Sequence, residues 1–416
     1  MMSAAGRSIG RIAGYALLVF LVLALVGPSP SMADKPKSLA VAIIGDLTGP
    51  YASVVGPMAP GCEDAVKYVN EKLGGIDGVK MELLVKDNTG KAALGIQQYE
   101  ELINMKPKPL FFGVPHTPTA EALREKVLRD EAIGFFPSSI DDLYPQGNTY
   151  GFYALYAGMT ATAVRWVKDN WKEERNPRIA IITWDQAYGR APLIPEFFDY
   201  CKKIGVDIVA QELFGVRDVD LTTHLTRIKA QKPDWLLTNC TGSGPVAIMR
   251  AAKELGMKTK LLNTVGGGWG TMRLDPALFE GCVSVLHNIS YDNETHPGVK
   301  LVKQYLKENN RSIKEQTNFY IIGWQYILMI HKVVQSAAAK VGWDKLDTAA
   351  IKAELNTLTN WEPLDGIVKV TYTEKKRSSP WLVVYKIEGG KLVPAGGLGG
   401  EGKFVEAPDM TPENFR

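Results

Sequence analysis

The chain has 416 residues, of which 45% are hydrophobic and 22% charged, and its formal net charge is +3 at neutral pH. It has no basic stripe with interleaved aromatic residues, so the composition does not indicate nucleic-acid binding. Its five histidines show no paired spacing and its four cysteines form no C-x-x-C motif, which excludes the familiar zinc motifs.

The first 33 residues have the pattern of a secretory signal peptide. Arg7 and Arg11 precede an apolar run over residues 13–26, and Ser31-Met32-Ala33 places small residues at the two positions that a signal peptidase reads. The apolar run is shorter than the roughly 20 residues that a membrane span needs. We therefore predict cleavage after Ala33 and export to the periplasm, with an uncleaved anchor as the alternative.

The rest of the chain alternates strand and helix, and it does so twice. The first alternation predicts strands at 39–44, 81–85, 109–112 and 134–136, with helices over 62–73 and 92–103 and a third from 117. The second predicts strands at 178–183, 206–212, 235–238, 261–262 and 283–286, with helices over 192–204, 221–230 and 244–255. Such alternation indicates parallel sheets with right-handed crossovers. Two doubly wound α/β lobes joined near Tyr153 explain it better than one large sheet.

The C-terminal part has no alternation of its own. It predicts helices over 297–308, 318–341 and 348–355, then a β-hairpin that pairs 366–373 with 381–387. Helices without strands need a sheet to cover, so we expect this part to complete the two lobes. The glycine-rich tail from Gly396 is predicted to be a loosely held strap.

One stretch combines a strand end with a helix start. Phe111 and Phe112 close a short apolar run, Gly113 permits a tight turn, and Thr117 and Pro118 suit an N-cap and a first helical position. A helix start of this kind leaves backbone N–H groups free and favours a carboxylate or another small anion. In open α/β sheets, ligands lie outside the carboxyl ends of the strands in this way.

Motifs for catalysis are absent from the sequence. No H-E-x-x-H, G-x-S-x-G, P-loop or dinucleotide fingerprint occurs, so we predict no enzyme activity, no cofactor and no metal site. Polar turns instead follow predicted strands at 48–53, 116–119, 138–139, 185–188 and 239–243. Each alone is compatible with an ordinary polar turn, but as strand ends of both lobes they predict one shared cleft. The four cysteines are Cys62, Cys201, Cys240 and Cys282. A disulfide is permitted outside the cytoplasm, and the sequence leaves open whether any of them pair or all stay free.

Several of these segments resemble a known family. The run VAIIGDLTGPYASVVGPMAPGCEDAVKYVNEKLGGIDG resembles the start of the periplasmic leucine/isoleucine/valine-binding proteins, solute receptors of ABC importers with the type I periplasmic-binding fold. The order of motifs persists through FFGVPHTPT, FFPSSI, RIAIITWDQAYG and DGIVKVTYTEKK, over essentially the whole exported chain. The resemblance implies two lobes joined by a three-crossing hinge, with the ligand between them. We expect residues 34–153 and 287–365 in lobe 1, and 154–286 and 366–416 in lobe 2.

The resemblance also implies roles for individual residues. Thr117 matches the hydroxyl residue that binds the ligand carboxylate, and Ser138, followed by Ser139, falls where a backbone carbonyl binds the ammonium. Ile140 falls where the family has a threonine, so its hydroxyl is missing. Tyr188 matches a tyrosine of the second lobe that closes over the ligand, and Thr241 replaces a second such tyrosine.

One departure bears on the ligand. Receptors of this family that bind α-amino acids have an acidic residue after the strand that ends at Leu262, whereas this chain reads Asn263-Thr264-Val265-Gly266. An ammonium without that partner loses a charge-assisted hydrogen bond of roughly 1.5–3 kcal/mol. Asp185 and Asp292 are the alternatives, although their positions do not match. An amide, a small carboxylic acid or an aromatic acid therefore stands beside a branched-chain amino acid as a candidate ligand.

Aromatic residues could line such a cleft, because their rings give apolar walls with polar tips. We select Tyr51 and Trp269 as lining residues and add His116; Tyr153, Tyr291 and Tyr320 are better explained as lobe core or interface. The predicted site is Tyr51, His116, Thr117, Ser138, Ser139, Ile140, Tyr188, Thr241 and Trp269. The predicted function is capture of a small organic solute, by a monomer, for an ABC permease. A sensory receptor and an exported enzyme are the alternatives.

Overall fold

Two sheets organise the chain, one parallel and one parallel with an antiparallel extension, as two doubly wound α/β lobes. The computed structural model describes residues 35–144, 147–264, 272–273, 275–312 and 317–415. The predicted signal peptide and Trp269 lie outside these ranges. None of the helices within them is both long enough and apolar enough to cross a membrane.

The first sheet has five parallel strands in the order β2-β1-β3-β4-β5. Its strands are β1 (Ser38–Gly45), β2 (Lys80–Asp87), β3 (Phe111–Gly113), β4 (Ile133–Phe136) and β5 (Thr149–Gly151). Its helices are α1 (Ala52–Val55), α2 (Met58–Lys72), α3 (Ala92–Ile103), α4 (Thr117–Arg129) and α5 (Ile140–Leu143). β1 is buried along nearly its whole length because helices cover both faces of the sheet, and its sequence is accordingly a continuous apolar run.

The second sheet continues in the order β12-β11-β10-β9-β8-β6-β7. Its parallel strands are β6 (Arg178–Trp184), β7 (Asp207–Phe214), β8 (Trp235–Thr238), β9 (Lys260–Asn263) and β10 (Val283–Leu286). Three strands extend it in antiparallel fashion: β11 (Trp381–Glu388), β12 (Lys391–Pro394) and β13 (Val405–Glu406). Its helices are α6 (Tyr156–Asp169), α7 (Ala187–Arg190), α8 (Pro195–Ile204), α9 (Thr222–Ala230) and α10 (Gly244–Glu254).

After β10 the chain returns to the first lobe through α11 (Pro297–Glu308), α12 (Asn318–Val341) and α13 (Thr348–Leu355). α12 packs closely on α2 through two glycines. A Cβ at Gly61 would lie 2.2 Å from the carbonyl oxygen of Tyr320, and one at Gly323 would lie 2.4 Å from that of Met58. Only glycine permits this backbone approach, so the two helices form one layer over the sheet. Short 3-10 turns complete the chain at Pro276–Phe279, Trp343–Lys345, Leu364–Gly366 and Glu413–Phe415.

The predicted hairpin between 366–373 and 381–387 is wrong. The partner of β11 is β12, and the two are joined by Gly389 and Gly390, whose φ angles are 54° and 76°. A two-residue hairpin turn needs positive φ at both positions, and two glycines supply it without strain. Residues 366–373 make only isolated bridges, with Val368 opposite Asn288 and Val370 opposite Trp361.

The segment between these bridges and β11 lies against the first sheet. The Tyr372 hydroxyl donates to the carbonyl of Gly151 (2.6 Å), and the Gly151 amide donates to the carbonyl of Arg377 (2.7 Å). The proposed change of lobe at residue 366 stays a prediction, and these contacts support a crossing nearer to Pro380.

The tail from Gly396 is not a loosely held strap. Val405 and Glu406 pair with β11 of the second sheet, while Thr411 donates from its hydroxyl to that of Tyr144 (3.3 Å), on the first lobe. Met410 and Thr411 are buried. Side chains near the end of the tail therefore fix it to both lobes. The glycine-rich composition of the tail gave no sign of these contacts.

Candidate ligand-binding site

Each sheet has one point where the strand order reverses. In the first sheet, β2 lies on one side of β1 and β3 on the other. In the second sheet, β7 and β8 flank β6 in the same way. Doubly wound sheets bind ligands in the crevice outside the carboxyl ends of the strands at such a point. Residues 46–55 and 114–118 follow the two strands of the first sheet, and 185–188 and 239–243 follow those of the second.

These strand ends meet at one pocket between the lobes, whose empty space of about 440 Å³ includes open solvent. The wall from the first lobe is formed by Tyr51, Val54, Val55, Pro115, His116, Thr117 and Pro118, and Phe319 comes from the start of α12. The second lobe and the crossing next to it contribute Tyr153, Tyr156, Gln186, Tyr188 and Thr241. No described lining residue is an aspartate, glutamate, lysine or arginine.

The start of α4 forms the polar part of the first wall. The helix begins at Thr117 and its N-cap is His116, which makes no side-chain cap, so the predicted N-cap at Thr117 is wrong by one residue. The amides of Thr119 and Ala120 donate to the His116 carbonyl, and Pro118 has no N–H. The amide and hydroxyl of Thr117 are therefore the donors that this helix start offers, and the positive end of the helix dipole lies beside them.

The His116 ring is oriented by a chain of hydrogen bonds. The Asn88 side-chain oxygen accepts from the Gly90 amide (2.9 Å), which directs the Asn88 side-chain nitrogen to donate to the Thr119 hydroxyl (3.1 Å). That hydroxyl lies 2.8 Å from His116 Nδ1. If the hydroxyl proton goes to Nδ1, the ring proton is on Nε2. Burial lowers the pKa of His116 from its usual value, so the ring is neutral at neutral pH, and in that tautomer Nε2–H is a donor.

The loop after β1 places Tyr51 over this helix start. Asp46 is fully buried and its two carboxylate oxygens accept from the amides of Gly49 (2.6 Å) and Tyr51 (2.8 Å). The Tyr51 ring then lies 5.6 Å from the His116 ring, centroid to centroid. Burial and the nearby Asp46 raise the pKa of Tyr51, so its hydroxyl stays protonated at neutral pH.

The second wall is held by side chains at the ends of β8 and β9. Asn239 donates from its side chain to the Tyr188 carbonyl (2.7 Å), and the hydroxyl of Thr264 donates to the Asn239 side-chain oxygen (2.6 Å). Tyr188 thus has its backbone fixed from a neighbouring strand. Burial raises the pKa of Tyr188 well above its usual value.

Aromatic residues of the crossing form the floor. The hydroxyls of Tyr153 and Tyr156 lie 2.9 Å apart, and the Tyr153 ring lies 5.4 Å from the ring of His287, which follows β10. His287 is buried, with neither ring nitrogen hydrogen-bonded within the described part of the chain. Burial lowers its pKa to about 3, so it is neutral under ordinary conditions.

The two walls touch each other, so the lobes are closed over the cavity. Tyr51 meets Trp184 of β6 edge to face, with ring centroids 6.2 Å apart. A Cβ at Gly242 would lie 3.9 Å from the Ser53 hydroxyl and 4.0 Å from a methyl of Val54, on the other lobe.

The structure brings together five of the predicted site residues: Tyr51, His116, Thr117, Tyr188 and Thr241. Ser138, Ser139 and Ile140 do not line the cavity. The Ser138 carbonyl, expected to face an ammonium, accepts from the amide of Tyr156 (2.9 Å), and its hydroxyl donates to the Tyr153 carbonyl (2.7 Å). Ser139 is buried, and Ile140 begins α5. Trp269 lies outside the described residues, and the roles of all nine stay predictions.

Sequence reasoning missed some lining residues, among them Val54, Val55, Pro115, Pro118, Tyr156, Gln186 and Phe319. Gln186 lies in the polar turn at residues 185–188 that the sequence analysis places at the cleft, so its position in that turn is the signal that could have identified it. Tyr156 lies at the start of α6 and Phe319 at the start of α12. No local sequence pattern indicates that the start of either helix lies at the cleft.

Neither alternative acid is among the described residues that line the cavity. Asp185 forms an ion pair with Arg190 at a half-exposed position, and Asp292 accepts from the amide of Leu392 (2.9 Å). Among the described residues no group of acidic, histidine or cysteine side chains could hold a metal ion. All four cysteines are buried free thiols, which answers the open question of their pairing.

Two closed parallel-sheet lobes with a cavity at both strand-order reversals define a type I periplasmic-binding fold. A family model described as periplasmic binding protein matches residues 38–391. The chain therefore belongs to the periplasmic binding protein family, and the predicted family is confirmed. This family is a type of solute-binding protein and not a class of enzymes.

Relatives and solved structures agree with this assignment. A Leu/Ile/Val-binding protein homolog 7 of Brucella suis is 24% identical, with 80% of this chain and 84% of that one covered. A branched-chain amino acid ABC transporter protein of Thermus thermophilus with bound valine superposes with a TM-score of 0.76, at 17% identity, over 87% of this chain and 96% of that one. A solute-binding protein of R. palustris in complex with 4-hydroxybenzoate superposes with a TM-score of 0.73, at 18% identity, over 89% of this chain and 97% of that one. At such identities the superpositions show a shared fold.

Proposed function

We propose that this protein captures a small carboxylic acid with an aromatic or other apolar body and delivers it to an ABC permease. The observation that supports the proposal most is the composition of the cavity wall. It combines a helix start and neutral donors with aromatic rings, and it has no charged side chain among its described residues.

The carboxylate belongs at the start of α4. The Thr117 amide and hydroxyl are donors there, His116 adds a third when its ring proton is on Nε2, and the helix dipole favours a negative charge. Charge-assisted hydrogen bonds of this type are about twice as strong as neutral ones. The anion needs no cationic partner at such a site.

The body of the ligand belongs between the aromatic rings. Tyr51, Tyr153, Tyr156, Tyr188 and Phe319 line the cavity and give apolar faces on which a ring or a short chain can pack. An α-amino acid would place its ammonium among these rings without a carboxylate. The related structures with valine and with 4-hydroxybenzoate show that the fold accommodates either kind of ligand, and the lining residues of this chain favour the second kind.

Capture works by hinge closure. The ligand binds the first lobe through Thr117, and the second lobe closes with Tyr188 over it, so binding increases the population of the closed form. The permease distinguishes the closed form from the open one. We further propose that the chain acts as a monomer in the periplasm after cleavage behind Ala33, and that it needs no cofactor and turns over nothing.

A ligand screen tests this proposal. The exported chain is unfolded and refolded to remove carried-over ligand, and its melting temperature is measured with benzoates, short fatty acids, aliphatic amides, leucine and valine. We expect stabilisation by monocarboxylic acids, because a ligand at 100 times its Kd adds about 2.7 kcal/mol to the free energy of unfolding. Stabilisation by amino acids alone would refute the proposed ligand class, and chemical conversion of any bound solute would refute the receptor function.

A further inference from the structure

The wall of the second lobe contains two polar groups without partners. The Gln186 side-chain nitrogen and the Tyr188 hydroxyl are both buried, and neither is hydrogen-bonded within the described part of the chain. Thr241 is close enough to the Tyr188 oxygen to lower its pKa as a side-chain hydrogen-bond donor, and this leaves the hydroxyl proton of Tyr188 without an acceptor. Both residues line the cavity. Buried polar groups are nearly always hydrogen-bonded, so two such groups on one wall require an explanation.

The orientation of the Gln186 amide is fixed by its neighbour. Gln186 is the N-cap of α7, and its side-chain oxygen accepts from the Tyr188 amide (3.2 Å). A backbone N–H can only donate, so the atom facing it must be the oxygen. The NH₂ group is then the unpartnered end, and it can only donate.

The Tyr188 hydroxyl is also a donor under ordinary conditions, because burial keeps it protonated. Its position is constrained by Asn239, which holds the Tyr188 backbone, and by the neighbouring rings of Tyr156 (5.2 Å) and Trp184 (6.2 Å). Two donors thus lie in the wall of one cavity, and each needs an oxygen acceptor.

We propose that Gln186 and Tyr188 form a second polar subsite, which binds a hydroxyl or carbonyl oxygen of the ligand apart from its carboxylate. The inference rests on the proposed function and makes it narrower: the ligand is an oxygen-substituted carboxylic acid, and a plain hydrocarbon acid leaves both donors unsatisfied. A site that is built to hydrogen-bond an oxygen rejects analogues that lack it, because its buried donors then lose their partner.

Matched ligand pairs test the subsite. 3- and 4-hydroxybenzoate are compared by calorimetry with 3- and 4-methylbenzoate, in which a methyl group of similar size replaces the hydroxyl. For at least one of the two positions we expect the hydroxyl compound to bind about tenfold more tightly or better. The quantity measured is the ratio of the two dissociation constants, so effects on the shared carboxylate cancel.

Two substitutions connect that ratio to the residues. Gln186→Met removes the NH₂ donor while keeping a side chain of similar length, and Tyr188→Phe removes the hydroxyl. Each should reduce the ratio, and the double variant should bring it close to one. Gln211→Met, the same change at an exposed position of β7 in the same lobe, should leave it as in the wild type.

The possible results separate the two claims. Equal binding of hydroxyl and methyl compounds at both positions, or a ratio that the double variant of Gln186→Met and Tyr188→Phe retains, would overturn the subsite and leave the proposed function in place. Failure of all four acids, together with failure of every carboxylic acid in the ligand screen, would overturn both.

Discussion

The Tyr51 ring of the first lobe meets the Trp184 ring of the second edge to face, with centroids 6.2 Å apart. Each residue belongs to a strand-end segment at the order reversal of its own sheet, so the contact joins the two halves of the cavity. It exists only while the lobes are closed, and its stabilising effect therefore adds to ligand affinity and not to the stability of the open form.

Replacement of Tyr51 by alanine should weaken ligand binding by roughly tenfold. The ring contributes buried apolar area and an aromatic pair, and such pairs give about 0.5–1.5 kcal/mol beyond the burial itself. Tyr51→Phe keeps the ring and should stay close to the wild type. Calorimetry measures both, and equal affinity of the alanine variant would show that the contact does not couple closure to binding.

Thr117→Ala should weaken binding of a carboxylic acid by about 1–3 kcal/mol, because a charge-assisted hydrogen bond is lost. The ligand-free melting temperature should change little, since Thr117 makes no side-chain cap for its helix. Thr117→Ser retains the hydroxyl and serves as the control. If the alanine variant binds as the wild type does, the carboxylate is not at this helix start.

His287 should make the protein sensitive to acid. Its pKa is about 3 in the folded chain because of burial, against an ordinary value near 6.5. The unfolded chain therefore binds a proton below pH 6.5 that the folded chain does not, and stability that is fully present above 6.5 falls as the pH drops. Between pH 7.5 and 5.5 the wild type should lose about 1.4 kcal/mol more than His287→Phe. Urea denaturation at the two pH values measures this difference, and parallel losses would contradict it.

The cysteines should be unreactive in the native protein. Burial raises the pKa of Cys201 and Cys240 to about 12 and that of Cys282 to about 11, and it raises that of Cys62 as well. Since the thiolate is the reactive form, a thiol reagent at pH 8 should modify the folded chain slowly. After denaturation without a reductant it should modify all four cysteines of the chain. A smaller number would reveal a disulfide.

Gly323→Ala should destabilise the first lobe by about 1–3 kcal/mol or more, because the added methyl meets the backbone of α2 at 2.4 Å. Ala339→Ser, at an exposed position later in the same helix, is the matched control and should have little effect. Chemical denaturation compares the two. An unchanged stability of Gly323→Ala would mean that α2 and α12 pack less closely than described.

The long amphipathic and buried elements could be predicted from the sequence. The helices Pro297–Glu308 and Asn318–Val341 have the predicted bounds, because a sustained apolar pattern is the strongest local signal. Sequence reasoning does not find α6, because all residues from Tyr156 to Val164 are buried and the charged residues of the helix begin only at Arg165. The predicted hairpin pairs β11 with residues 366–373 because both segments are apolar. The turn at Gly389 and Gly390, which joins β11 to its actual partner β12, is the better signal.

The sequence indicates which turns meet at the site. It does not indicate which hydrogen-bonding groups in those turns stay free to bind a ligand. The turns of Thr117 and Tyr188 lie at the strand-order reversals, as expected from the alternation. Whether Ser138 can bind a ligand depends on a tertiary hydrogen bond from Tyr156, and the free donor of Gln186 depends on its helix cap. Neither follows from residue type or spacing.

The central claim is that the cavity prefers a carboxylic acid without an ammonium group. The most direct test is calorimetric titration of ligand-free protein with 4-hydroxybenzoate and, in parallel, with leucine and valine. We predict micromolar or tighter binding of the hydroxybenzoate and no measurable heat with either amino acid. Micromolar binding of leucine or valine, with none of the hydroxybenzoate, would contradict the account.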